Sequence, residues 1–191
     1  MANIALSTLL PLISLPRCPE NTILQALREA SRIFLTETEI WREEISFTTV
    51  TDQTNYTLTN SYSAIAFVWR IVSVEVETET DDWTFDRPTS LTFSSAPNGG
   101  IASTALAVFV PTTLHAELPD WIINIWGIAI AHGATYLLKA KSGSNTDPLP
   151  WSDLNGAAIE RNYFYSGINS AKLEVFSKRK SGDTGIQMRE F

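Results

Sequence analysis

Along residues 20–38 the apolar positions recur at spacings of three and four: Ile23, Leu24, Leu27, Ala30, Phe34 and Leu35. Arg28, Glu29 and Arg32 fall on the other side, so the pattern predicts a helix with one buried stripe. The turn Pro16-Arg17-Cys18-Pro19 leads into it, with Pro19 suited to a first helical turn and Glu20 favourable there. The helix is predicted to end near Thr36 to Thr38.

The period then becomes two. Ile45, Phe47 and Thr49 alternate with Glu44, Ser46 and Thr48, and the polar run 51–55 turns the chain before Tyr56 and Leu58. Residues 65–76 are β-branched and aromatic, and Val72, Val74 and Val76 alternate with polar neighbours. Asp81-Asp82 reads as a hairpin tip with Trp83 and Phe85 returning, and Ala96-Pro97-Asn98-Gly99-Gly100 as a second turn. A further strand over 105–110 stops at Pro111. Four to six strands are therefore predicted between one helix before and two after.

The first of those two helices is unusual. From Trp121 to Leu138 eighteen residues pass without a charge, WIINIWGIAIAHGATYLL, after a Leu118-Pro119-Asp120 cap. At 1.5 Å per residue the run reaches about 27 Å, just enough for a bilayer core. Asn124 and His132 are costly in hydrocarbon, and no second apolar span accompanies it. Gly127 and Gly133, with Ala129, Ala131 and Ala134, give a thin side for another helix; Trp121, Trp126 and Tyr136 give bulk elsewhere. Ser142 to Asn145 ends the helix. After Pro148-Leu149-Pro150-Trp151 a last helix runs from about Asp153 to Lys180, with a seam of Leu154, Ala157, Arg161, Phe164, Ile168, Ala171 and Val175.

The expected fold class is thus α+β: a helical bundle of about three helices, one N-terminal and two C-terminal, with an inserted antiparallel β-region and a flexible C-terminal tail. Residues 19–38 plus 118–180 form the helical core, 41–112 the β-rich lobe and 181–191 the tail, within a single domain over 1–191.

Charge narrows the function. The net charge of −7 argues against nucleic acid as a ligand. Thirteen acids against four bases lie between Glu20 and Asp86, whereas Lys172, Lys178, Arg179 and Lys180 face Glu174 alone. The apolar start of the chain carries no preceding Lys or Arg and contains Pro11 and Pro16, which speaks against a secretory signal. One cysteine, Cys18, excludes an internal disulfide framework.

Candidate chemistry is thin. His115-Ala116-Glu117 has a deaminase-like spacing but lacks the paired cysteines, so His115 reads as structural. His132 reads as a hydrogen-bonded core or interface residue. Cys18, at a helix start where a thiol pKa can fall, reads as packing. Asn98-Gly99-Gly100 is followed by no Lys-Ser/Thr, and Asp81, Asp82 and Asp86 lack calcium-loop spacing. Trp69, Trp83 and Phe85 suit either a sheet core or sugar stacking. No catalytic residue, metal site or cofactor is assigned.

Several segments resemble the head-to-tail adaptor (connector) proteins of tailed bacteriophages. They are the opening turn and helix with ALREASRIF, the strand WRIVSVEVE, AELPDWIINIWGIAIAHGATYLLKAK, and PLPWSDLNGAAIERNYFYSGINSAKLEVFSKRK. The matching elements are Pro16 to Pro19, Ala26 to Phe34, Trp41-Arg42, Leu118 to Asp120, Gly127 to Ala134, Trp151, Gly167-Ile168 and Lys178 to Lys180. Residues 80–102 have no counterpart in that pattern. The resemblance implies a non-enzymatic virion protein, made in the host cytoplasm, that forms a dodecameric ring between the portal and the tail or nozzle and lets DNA pass without sequence-specific binding. Independently of the resemblance, the basic end Lys178, Arg179 and Lys180 with Ile186, Met188 and Phe191 beyond it suits docking on the portal, and Trp121, Ile125, Trp126, Gly133, Phe164 and Ile168 are the expected subunit-packing residues. The alternatives are a carbohydrate- or receptor-binding β module using Trp69, Trp83 and Phe85, and a small membrane protein using residues 121–138.

Overall fold

The computed structural model describes residues 2–76, 82–141 and 149–182, with side chains as far as 177. Helices and antiparallel sheets combine in an α+β fold. Helix α1 spans Glu20–Thr38, α2 Asp120–Lys139 and α3 Leu154–Gly182. The strands are β1 Asn3–Ala5, β2 Arg42–Thr48, β3 Asn55–Thr57, β4 Ala66–Glu75, β5 Trp83–Asp86, β6 Ser90–Phe93, β7 Ala102–Pro111 and β8 Glu117–Pro119. A 3-10 helix, Leu6–Leu12, joins β1 to the turn before α1.

The main sheet has the order β2-β7-β4, all antiparallel. As its central strand, β7 is paired on both edges and buried continuously from Ala107 to Pro111, which explains its unbroken apolar run. Near the end of β7, the fully buried Trp41 packs against Tyr62 and Phe109, with ring centroids 5.1 and 5.7 Å away. A second sheet, β3-β6-β5, stands beside it. Phe47 of β2 meets Tyr56 and Phe93 of that sheet at 5.4 and 6.4 Å.

One expectation is corrected here, and one pairing was not anticipated. Trp83 and Phe85 do not return along the strand over 65–76: β4 pairs with β7, and β5 pairs forward with β6. Asp82 therefore stands between strands of two different sheets and not at a hairpin tip within one; Asp81 lies outside the described residues. The start of the chain is also ordered into the fold, since β1 pairs with β8 in the register Asn3↔Pro119 to Ala5↔Glu117. The turn 98–100 does form. Gly100 has φ +80°, its N–H donates to Thr49 O at 2.7 Å, and Thr49 Oγ1 donates to Asn98 O at 2.5 Å. The helix end assigned to Ser142–Asn145 and the flexibility of 183–191 lie outside the described residues.

Glu39 closes α1 in the left-handed conformation, φ 50°, and its carboxylate takes the Arg70 guanidinium in a two-pronged pair: Nε to Oε1 at 2.6 Å and Nη2 to Oε2. That pair fixes the end of α1 to β4. Phe34, fully buried, sits where the helices meet, 5.5 Å from the Trp126 ring of α2 and 6.3 Å from the Phe164 ring of α3.

Candidate functional site

Helix α2 has two different sides. On the inner one, residues without side-chain bulk set the spacing. A Cβ at Gly133 would lie 2.6–3.0 Å from three atoms of the Phe164 ring, and one at Gly167 would lie 2.5 Å from Ala129 Cβ. At Gly127 the neighbour is Leu9 of the 3-10 helix, 2.8 Å from such a Cβ. At Gly133 and Gly167 these approaches are closer than a side chain tolerates, so glycine is favoured where α2 touches α3; at Gly127 the Leu9 methyl can swing aside. The thin side predicted from sequence is filled by the chain's own elements.

The outer side carries Trp121, Asn124, Ile125, Ile128 and His132, spaced by three and four. Ile125 is 58% and Ile128 66% exposed. The adjoining face of α3 adds Ile159 and Tyr163, 56% and 57% exposed. Besides Asn124, a polar cluster interrupts this strip. Glu160 accepts hydrogen bonds from His132 Nδ1 at 2.6 Å and Lys139 Nζ at 3.2 Å, and the His132 ring lies 4.9 Å from that of Tyr163. Burial raises the Glu160 pKa, but the hydrogen bonds and charges of His132 and Lys139 outweigh it and hold the carboxyl below its usual range. His132 is thus hydrogen-bonded at the edge of the strip, as its sequence position suggested.

The predicted packing residues divide between these sides. Gly133, Phe164 and Ile168 are buried within the chain, the last two at 1% exposure, so a neighbour cannot reach them. Ile125 is open, and Trp121 and Trp126 are half-buried. Of the seam on α3, Ala157, Phe164, Ile168 and Ala171 are buried, whereas Leu154 is 68% exposed. Lys178, Arg179 and Lys180 fall on the last turns of α3 by backbone; Ile186, Met188 and Phe191 lie outside the described residues. Sequence reasoning missed Ile128, Ile159, Tyr163 and Glu160. The signal was present in the spacing of 121, 125, 128 and 132, which places them on one helical face.

A second feature lies on α1. A cleft of about 600 Å³ opens along its outward face, lined by Arg28, Arg32, Ile33 and Glu37 and by Thr113 and Leu114 of the loop after β7. Arg28 Nε donates to His115 O at 2.9 Å. His115 itself is buried at 2% exposure. Its Nδ1–H donates to Thr112 O at 2.7 Å, leaving Nε2 to accept from the Ser31 hydroxyl at 2.9 Å. Burial pushes its pKa down to about 4. It is a neutral structural residue tying the 112–116 loop to α1.

The remaining candidates carry little chemistry. Cys18 is half-buried and burial pushes its thiol pKa up, the reverse of activation. Among the described residues no three His, Cys, Asp or Glu side chains converge. Trp69 has the Arg87 guanidinium 3.8 Å above its ring, while Trp83 and Phe85 are half-buried on β5 and pack against the core. Asp120–Lys139 is long and apolar enough to cross a membrane, and half of that span is buried inside the fold. The chain matches no protein-family model and no curated protein.

Proposed function

We propose that this chain is a structural ring adaptor of a tailed bacteriophage, placed between portal and tail. The observation that carries the reading is the strip of Ile125, Ile128, Ile159 and Tyr163, left open on a helix pair whose inner contacts are already complete. Apolar side chains that fold nothing are retained for a partner, and a heterologous contact repeated around a closed ring covers one strip per copy. In this reading α1, α2 and α3 act as a three-helix bundle that neighbours flank. The basic end of α3, Lys178 to Lys180, with Ile186, Met188 and Phe191 beyond it, docks on the portal. The β-rich lobe faces the tail or nozzle. The net charge of −7 suits a channel that DNA passes without sticking. No catalytic role is assigned.

The test is electron microscopy of the purified chain mixed with a portal protein, where rings or capped portals are expected. Ile125→Lys with Ile128→Lys should abolish them, and deletion of 181–191 should remove portal binding while leaving a folded protein. Portals capped as readily by both variants would overturn the reading. A membrane protein is the second reading, favoured by the length of α2; recovery in the soluble fraction without detergent is incompatible with it.

A further inference from the structure

The cleft on the outward face of α1 holds two guanidinium groups that the described residues leave under-used. Arg28 and Arg32 stand at i and i+4, a like-charge spacing that costs stability unless an anion lies between them. Arg28 makes one hydrogen bond, through Nε to His115 O. Arg32 Nε is inaccessible to solvent and has no hydrogen-bond partner, a condition that costs free energy unless a ligand relieves it. Beside them Ile33 and Leu114 offer apolar walls, and Leu114 is 81% exposed. Glu29 also borders the cleft, and Glu37 at its far end is paired with Lys172 of α3 at 3.0 Å.

We propose that this cleft is a docking site for the chain's own segment 183–191. Its sequence, DTGIQMREF, supplies the complementary groups: a carboxylate on Glu190 for the arginines, a guanidinium on Arg189 for Glu29, and Ile186, Met188 and Phe191 for the apolar walls. Reach permits it within one molecule. The Lys172–Glu37 pair places α3 beside the cleft. From there α3 continues about 15 Å to Gly182, and Arg32 lies about 8 Å back along α1. Nine extended residues cover about 30 Å. The inference goes beyond the adaptor reading and does not depend on it. If that reading also holds, the docked segment is withheld from the portal until the portal competes for it.

The test uses the full chain with Phe191 replaced by the photo-cross-linker p-benzoylphenylalanine. Irradiation of dilute protein should give cross-links within single chains, mapped by mass spectrometry to residues 25–37 or 113–114. Arg32→Gln should lower the yield several-fold. Glu190→Lys, which leaves the folded body unaltered, should do the same, and Arg32→Glu combined with Glu190→Arg should restore it. Cross-links scattered over other surfaces, or a yield indifferent to Glu190→Lys, would overturn the proposal. Cross-links joining two chains would overturn it too, by assigning the cleft to a neighbour's segment. Portal binding that disappears on deletion of 181–191 while the cross-links map elsewhere would leave the adaptor reading standing without this one.

Discussion

The two sides of α2 are built from the same kind of residue, uncharged and largely apolar, yet they do opposite things. On the inner side Gly127, Gly133 and Ala129 allow Leu9, Phe164 and the backbone at Gly167 to approach so closely that one added methyl group would collide. On the outer side Ile125 and Ile128 are more than half open to solvent. An absence of charge along a helix therefore carries two separate messages. Small residues mark contacts the chain makes with itself; large ones left open are the surface that the proposed adaptor role gives to a neighbour.

Four measurements can break or sharpen that contrast. The largest effect belongs to Phe164, which fills the space between α1, α2 and α3: Phe164→Ala should cost about 3–5 kcal/mol in urea unfolding, and a loss under 1 kcal/mol would deny the inner side its role. Next comes the buried anchor of the 112–116 loop. His115 has a folded pKa of about 4 against 6.5 for the free side chain, so the unfolded chain binds the proton first. Its contribution is complete above pH 6.5, falls as pH drops from 6.5 to 4, and is constant below; the total is roughly 3 kcal/mol. Unfolding curves at pH 7, 5 and 4 should show this loss in the native chain and not in His115→Gln. Third, Gly133→Ala should destabilise by about 1–3 kcal/mol, because the Phe164 ring it strikes is itself held by Phe34. Smallest on the same scale, Ile125→Lys with Ile128→Lys should shift stability by no more than about 0.5 kcal/mol while changing assembly. Equal destabilisation from the inner and outer changes would erase the distinction.

Much of this was legible in the sequence, for a physical reason. The three long helices and β2, β4 and β7 bury a stripe or a face, and burial imprints its period on the residues, so the predicted bounds of α1 and α2 fall within a few residues of the observed ones. Elements of three or four residues carry no period. Strands β1 and β8 exist only because they pair with each other, and nothing within Asn3–Ala5 or Glu117–Pro119 records the partner. The same holds for β5: Trp83 and Phe85 mark a strand, but nothing within its four residues records β6 as the neighbour. At the candidate site the residue types were visible, and their division between an inner and an outer face was not. Phe164 and Ile125 look alike in a sequence; only the path of α3 decides which is covered. Leu114 and the paired arginines of α1 gave no signal until the loop after β7 was laid beside them.

The pairing of β1 with β8 has a consequence for synthesis. Residues 3–5 leave the ribosome well before their partners at 117–119, which follow only after α1 and the strands β2 to β7 have been made. Until then the start of the chain has no edge to join, and Leu9 has no Gly127 to lean on. Both arrive together, since β8 runs straight into α2 and the Asp120 N–H bonds to Ala2 O. The seating of the first residues is thus a late event in the growth of the chain, timed by the emergence of the uncharged helix.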